Sequence, residues 1–242
     1  FNKCDYVGKT DIVCELYFSE KTAAGWSTRV KLPANINVAG YTSTQPNIHL
    51  TTEGYYELFY ASDCPGGKGG LDLWRVRFSE AGNFAKPENI AALNTTGNDA
   101  TPFYYEPDKT MYFSTKGRQT IGGYDIYKSG WRNNTWQEPE HLDVPLNSSY
   151  DDLFFALQND ETVYFTSNRE ESVSATGESC CYDIYKGNYL PINLKTLSFS
   201  LPHEDVLPGV LFSLSEVPAE RDVLTRFSGE TNESDFGIRR QK

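Results

Sequence analysis

Apolar and polar positions alternate with period two over many short stretches of this chain. Examples are "TMYFST" (110–115), "YDIYK" (124–128) and "DLFFAL" (152–157). Such alternation puts every second side chain on one face of an extended strand. Between the stretches lie clusters of turn-forming residues. "TTEGYY", "EPDKT" and "QNDET" separate one set of strands, and "SEAGN" and "SGWRNNT" another. Gly, Asn, Asp and Pro supply the backbone conformations that tight hairpins need. The pattern predicts an all-β chain of short antiparallel strands.

The strands recur as a set. An aromatic, small, polar string starts at Phe1, Tyr60, Phe113 and Phe165, at separations of 59, 53 and 52. An acid follows each time, at Glu15, Asp72, Asp125 and Asp183, spaced 57, 53 and 58 apart. Trp26, Phe84 and Trp136 form a third landmark, and "QPNIHL", "TPFYY" and "DLFFAL" a fourth. Four landmarks in constant order predict four strands per unit. A repeat of roughly 50 residues with four strands is the signature of a propeller blade. The second unit then has strands at 45–51, 55–62, 71–79 and 84–91; the third at 101–105, 110–115, 124–129 and 135–142. The fourth has strands at 152–157, 161–167 and 182–187, and the first begins inside its second strand. Residues 1–190 are read as propeller blades, incomplete at the N-terminal side. Residues 191–242 are read as a β-sandwich fragment, because the register changes at "INLKTLSFSLPHEDVLPGVLFSLSEV". Fewer than four blades do not close a ring. The chain is therefore expected to be a piece of a larger protein.

Composition agrees with strands and narrows the partners. Aromatic residues make up 14% of the 242 positions, and they pack well on a pleated surface. A formal net charge of −11 disfavours nucleic acid, whose phosphates need Lys and Arg. No run of about 18 apolar residues is present, so no transmembrane helix is expected.

The repeats carry a resemblance. "EPDKTMYFSTKGRQTIGGYDIYKS" resembles the WD40-like (PD40) repeat of TolB-type propellers, with its Pro-Asp turn, Phe-Thr-Ser strand and Asp-Ile-Tyr strand. The likeness covers residues 1 to about 188. The "GGYDIY" style is most similar to the propeller of OmpA-family proteins of the Bacteroidota. "DVLPGVLFSL" is similar to the carboxypeptidase-regulatory-like sandwich that often follows it. The chain departs from the pattern at "TTEGYY", which lacks the Pro-Asp turn, and at "CCYDIY", where cysteines replace the glycines. The resemblance implies a periplasmic, outer-membrane-associated scaffold. Its partners would be other envelope proteins, with peptidoglycan reached through an OmpA-like domain outside this sequence. Some members of that group serve type IX secretion or gliding.

Candidate chemistry is sparse. "PGGKGG" (65–70) imitates a phosphate loop, but no Ser or Thr follows Lys68 and a strand comes next. No GxSxG occurs. His49, His141 and His203 fall at unrelated landmarks, so no metal site is assigned. Glu15, Asp72, Asp125 and Asp183 recur once per unit and are read as structural acids. Asp125 is expected to cap backbone amides, with the preceding glycines turning the chain into its strand. Asp99, Asp151 and Asp152 open inner strands, and Asn37, Asn94 and Asn147 recur just before them as loop-shaping residues. Together with Tyr41 and Tyr150, these three aspartates form the candidate binding face. The alternative is a glycoside hydrolase, or a glycan-binding propeller, with carboxylates at the axial mouth. Cys4 and Cys14 bracket one loop and are the candidate disulfide. The reading is a non-enzymatic interaction module with no cofactor and no catalytic residue assigned.

Overall fold

The computed structural model describes residues 1–7, 11–158, 162–170, 172 and 181–188, and the backbone of five short strands beyond them. The chain divides into two compact units, Phe1–Asn188 and Tyr189–Lys242. Among the described residues every regular element is a strand, apart from one 3-10 turn at Glu106–Asp108.

Among the described residues the first unit holds four antiparallel sheets of three to five strands and a separate two-stranded hairpin. Sheet I contains β1 (Asn2–Val7), β2 (Asp11–Phe18) and β5 (Val30–Lys31), and the hairpin is β3 (Lys21–Thr22) with β4 (Gly25–Trp26). Sheet II contains β6 (Ser43–Leu50), β7 (Tyr56–Ser62), β8 (Asp72–Phe78) and β9 (Glu88–Asn89). Sheet III contains β10 (Asp99–Tyr105), β11 (Thr110–Thr115), β12 (Asp125–Arg132), β13 (Thr135–Trp136) and β14 (Glu140–His141). Sheet IV contains β15 (Asp152–Gln158), β16 (Thr162–Ser167) and β17 (Asp183–Asn188). In the second unit, β18 (Phe199–Ser200) pairs with β19 (Asp205–Val206), and β20 (Leu211–Glu216), β21 (Thr225–Glu230) and β22 (Arg239–Gln241) form a meander. Among the described residues no sheet closes on itself, and in the first unit strands pair in sequence order except that β14 pairs with β12.

The fourth strands are shorter than the sequence pattern suggests. The stretch 84–91 keeps only a bridge from Phe84 to Phe78 and the two residues of β9. The stretch 135–142 splits into β13 and β14. Pro87 and Pro139 stand at these interruptions. A proline has no N–H to give to a ladder, so pairing breaks there.

Packing between sheets follows the alternation. In β7, Leu58 and Tyr60 face Leu16, Leu32 and Ile36 of sheet I, while Phe59 faces Tyr104, Met111 and Phe113 of sheet III. A strand covered on both faces is buried along its length, as in β11, where all six residues are buried. In β16 only every second residue is buried. Each such large apolar side chain contributes about 1.5–3 kcal/mol by leaving water. The outermost faces stay open: Tyr6 on sheet I is 74% exposed and Ile184 on sheet IV is 77% exposed.

One contact recurs at every turn of the repeat. The Asn37 side chain accepts from Leu16 N (2.8 Å) and donates to Leu16 O (2.9 Å). Asn94 does the same with Leu73 N (2.8 Å) and O (2.9 Å). Asn147 does so with Ile126 N (2.7 Å) and O (2.9 Å). The sequence separation is 21 in all three. Each target residue directly follows the recurrent acid, Asp72 and Asp125 at the start of β8 and β12 and Glu15 within β2. The same carbonyls also accept from Leu32 N (3.0 Å), Ile90 N (2.9 Å) and Leu142 N (3.1 Å), so the side-chain amide completes the pairing with the outer segment by giving the N–H its acceptor. Asn94→Ala is expected to lower stability by about 1–3 kcal/mol in chemical denaturation, because the buried Leu73 N–H loses its partner while Leu73 O keeps the N–H of Ile90. An Asn94→Ala protein as stable as the parent would show that water replaces the side chain freely.

Candidate functional site

The turns that lead into β6, β10 and β15 contain most of the candidate residues. Just before each strand stands a polar side chain, Thr42, Asn98 or Asp151, that reaches back to the preceding sheet. Thr42 Oγ1 accepts from Cys14 N (3.3 Å), Asn98 Oδ1 from Leu71 N (2.9 Å) and Asp151 Oδ1 from Tyr124 N (2.7 Å). Backbone bonds reinforce this strap, with Asp99 N donating to Leu71 O (2.6 Å) and Asp152 N to Tyr124 O (2.7 Å). Asp151 also accepts from Tyr182 OH (2.8 Å) and lies 3.3 Å from Lys116 Nζ. Burial opposes ionisation of Asp151, but these hydrogen bonds and the lysine outweigh it and hold the carboxyl below its usual range. The same bond and burial push Tyr182 up to about 12.

Asp99 and Asp152 are fully buried. Thr95 N (2.6 Å) and Oγ1 (2.9 Å) donate to one oxygen of Asp99. Ser148 N (2.6 Å) and Oγ (2.8 Å) donate to one oxygen of Asp152. The second oxygens differ. Asp152 Oδ1 receives Arg169 Nη2 at 2.6 Å, whereas Asp99 Oδ1 is buried with no well-formed hydrogen bond among the described residues. Burial raises the Asp99 carboxyl above its ordinary value. The three aspartates therefore do not form an open acid cluster: Asp99 and Asp152 are tied into their own turns, and Asp151 is held by Tyr124 N, Tyr182 and Lys116. Tyr41 and Tyr150 stand at the surface of these turns, each 37% exposed.

The recurrent acids of the third long strands divide in two. Asp72 and Asp125 are fully buried. Asp72 accepts from the amides of Lys68 and Gly69 and from Asn89 Nδ2 (3.1 Å). Asp125 accepts from Ile121 N (2.7 Å) and Gly122 N (3.3 Å) and touches His141 Nε2 at 2.7 Å. Glu15 is half-buried and pairs with Lys31 (2.5 Å), and Asp183 opens β17, also half-buried. Lys68 of the phosphate-loop lookalike spends its ammonium on Ala91 O (2.6 Å) and Asn94 O (3.2 Å). His49 is stacked on Phe59 and meets Tyr104 at a tilt, and burial lowers its pKa despite Glu57 and Glu106 nearby. His203 lies outside the described residues. Cys4 and Cys14 form a disulfide across β1 and β2. Cys64 is a buried free thiol, and Cys181 is disulfide-bonded. No metal-ligating cluster occurs among the described residues.

The glycines ahead of these acids do something other than turn the chain. Gly69, Gly70, Gly122 and Gly123 do not have positive φ. Instead the next sheet's turn presses on them. A Cβ at Gly69 would overlap Gly97 O, and one at Gly122 would overlap the carbonyls of Tyr150 and Ser148. At Gly70 and Gly123 it would overlap the strap oxygens of Asn98 and Asp151. The glycine pair is the clearance through which one sheet reaches the next.

The site that pattern reading missed lies on the first strands. β6, β10 and β15 lie side by side, and each is bulged at the same repeat position. The bulge residues Gln45 (φ 54°), Thr101 (φ 50°) and Phe154 (φ 54°) are all left-handed, although none is glycine. Each such residue costs roughly 1–3 kcal/mol, a strain that collects at working sites. The bulges surround a cavity of about 250 Å³ walled by Pro46, Pro102, Phe103 and Phe154. Gln45 Oε1 accepts from Thr101 N (2.9 Å) and Asn47 Oδ1 from Tyr104 N (2.9 Å), so side-chain amides link neighbouring first strands. Pro46 and Pro102 were the available signal: proline inside a strand marks an edge or a bulge.

No family model matches the chain, and no curated protein matches it. Solved structures offer distant likenesses. A puromycin-hydrolyzing peptidase of Mycobacterium tuberculosis aligns at TM-score 0.42 and 13% identity, over 88% of this chain and 35% of that one. The NanB sialidase of Streptococcus pneumoniae aligns at 0.38 and 11%, over 65% and 24%. The α-L-arabinofuranosidase PaAbf62A of Podospora anserina aligns at 0.37 and 13%, over 78% and 64%. The chain thus spans about a third of the first of these structures. None is close enough to carry an assignment of site or activity.

Two outcomes follow for these turns. Gly69→Ala and Gly122→Ala should each cost about 1–3 kcal/mol, since the obstacle is backbone. Gly187→Ala, whose Cβ would meet Val163 Cγ2 at 3.5 Å, should change little. Equal effects at all three would leave the clearance argument without support. The aspartates should separate by pH. Below about pH 3.9 Asp99 is neutral in folded and unfolded chains alike. As pH rises toward its raised folded value, stability is lost, because the unfolded chain ionises first. Asp99→Asn should therefore hold or raise the melting temperature near neutral pH and flatten its decline above about pH 4. Asp152→Asn should lower the melting temperature, reflecting a loss on the order of 3 kcal/mol, by removing the carboxylate that pairs with Arg169, whose remaining partners Ser167 Oγ, Pro145 O and Leu146 O are neutral. Thermal melts of both variants across this range check the pair; the reverse order would contradict the placement.

Proposed function

We propose that residues 1–188 are part of a β-propeller, each sheet one blade, and that the chain acts by binding rather than by catalysis. Four meandering sheets stacked in sequence order by a repeated strap support the propeller reading. The observation that carries the binding reading is the commitment of Asp99 and Asp152. A glycosidase needs one carboxyl to give a proton and another to attack or activate water, both reaching the sugar. Here both carboxylates are buried and hold the amides of their own turns. What remains available on that face is docking surface, with Tyr41 and Tyr150 as half-exposed aromatic anchors. On the resemblance of its repeats, the chain works as a scaffold in the periplasm at the outer membrane. It would dock other envelope proteins and be linked to peptidoglycan through a further domain, in a setting such as type IX secretion or gliding. No helix of the described residues is long and apolar enough to cross a membrane.

A panel of para-nitrophenyl glycosides incubated with the full chain tests this reading. No release of nitrophenol above the blank is expected from the parent protein. Release that Asp99→Asn or Asp152→Asn abolishes, in protein shown to be folded, would overturn it in favour of a glycoside hydrolase.

A further inference from the structure

We propose that the cavity framed by the bulges of β6, β10 and β15 is a binding site for one neutral sugar residue of a glycan. The proposal rests on the non-catalytic reading above and adds a ligand to it.

Three features of the cavity select the occupant. The first is charge. Its lining residues include no carboxylate, ammonium, guanidinium or imidazole among the described residues, although the chain carries a net charge of −11. A charged ligand would be desolvated there without a counter-charge. The second is polarity. The oxygens of Gln45 and Asn47 are held by Thr101 N and Tyr104 N, which fixes how each amide points. Their NH2 groups have no partner among the described residues, so the walls offer donors at set positions. A matching ligand presents hydroxyl or ether oxygens. The third is shape. At about 250 Å³ the space falls below the range of roughly 300–1,000 Å³ that holds a drug-sized ligand, so it admits one ring. Phe154 is 49% exposed and offers an aromatic face. The C–H groups on one side of a pyranose carry the weak positive charge that such a face attracts.

A peptide fits less well. Extended peptides bind sheet edges by continuing the ladder of main-chain hydrogen bonds. Here the ladder is broken at each bulge, and Pro46 and Pro102 have no N–H to give. The strain points the same way. Three successive strands keep a non-glycine residue left-handed at this one level, and Phe154 does so while half exposed. An exposed phenylalanine in that conformation stabilises nothing locally; it is held there as a wall.

The test follows the side-chain NH2 signals of Gln45 and Asn47 by NMR in the isotope-labelled full chain. The probes are methyl β-glucopyranoside, methyl β-galactopyranoside and methyl N-acetyl-β-glucosaminide, with acetyl-prolinamide as the peptide probe. Saturable shifts of both signals with at least one sugar, and none with acetyl-prolinamide, are expected. Gln45→Glu keeps the acceptor for Thr101 N and removes the donor, and should weaken that binding about tenfold or more. Phe154→Gly removes the wall and relieves the left-handed backbone, so it should lose binding while its melting temperature holds or rises. Sugar shifts that survive in Phe154→Gly, shifts with the peptide probe alone, or no shift with any probe would each overturn the proposal. The matching para-nitrophenyl glycosides separate the two readings. Release of nitrophenol that Phe154→Gly abolishes would retain the cavity as a sugar site and remove the non-catalytic reading. Silence in both assays would remove the sugar site and leave the scaffold.

Discussion

A single asparagine side chain, repeated in three successive units, closes the outer edge of each third long strand. Its amide group offers one acceptor and one donor on neighbouring atoms, which matches the N–H and C=O of one residue in an extended strand. Asn37, Asn94 and Asn147 each take both groups of Leu16, Leu73 and Ile126. The need arises from the outer strands. These are broken near Pro87 and Pro139, and a fragmentary strand leaves buried polar groups on its neighbour. The outer segment still bonds each carbonyl through Leu32 N, Ile90 N or Leu142 N, and an asparagine held by the following turn supplies the acceptor that the N–H lacks and a second donor to the carbonyl. It also sets where that turn sits, and so where the next sheet begins.

From that fixed turn the next junction follows. Thr42, Asn98 and Asp151 reach back to the previous sheet, and the glycine pairs at 69–70 and 122–123 leave room for the latter two. Asp99 and Asp152 tighten the same turn from inside. Acids that stand at a suggestive place in the chain are thus absorbed by the joint between sheets. At sheet IV the arrangement differs. In the sequence Cys180 and Cys181 stand where the two preceding units have glycines; Cys181 is left-handed (φ 86°), and Ile184 stands exposed where Leu73 and Ile126 are fully buried.

Much of this was legible before any coordinates. Period-two alternation in "TMYFST" and "YDIYK" marks strands directly, because side chains on a strand point to opposite faces in turn. The spacing of Asp72 and Asp125 marks them as equivalent positions. The function of the glycines was not legible. A Gly-Gly pair reads as a flexible turn, and only the approach of a turn 27 or 28 residues further on reveals crowding instead. The lengths of the fourth strands were overestimated because alternation continues through Pro87 and Pro139 while hydrogen bonding does not. The bulges at Gln45, Thr101 and Phe154 were missed because one inserted residue barely disturbs an alternating pattern. In the third of them even the proline signal is absent, since Phe155 stands where Pro46 and Pro102 do.

The account stands or falls with the asparagine clamp, and native-state hydrogen exchange at the clamped amides addresses it most directly. Ile184 is a built-in reference: it follows Asp183 in the same register but meets no such asparagine among the described residues. The amides of Leu16, Leu73 and Ile126 should exchange only as slowly as the whole unit unfolds, and Ile184 markedly faster. Exchange at the three clamped amides as fast as at Ile184 would show that the asparagines merely accompany the fold, and the order of construction argued from them would fail.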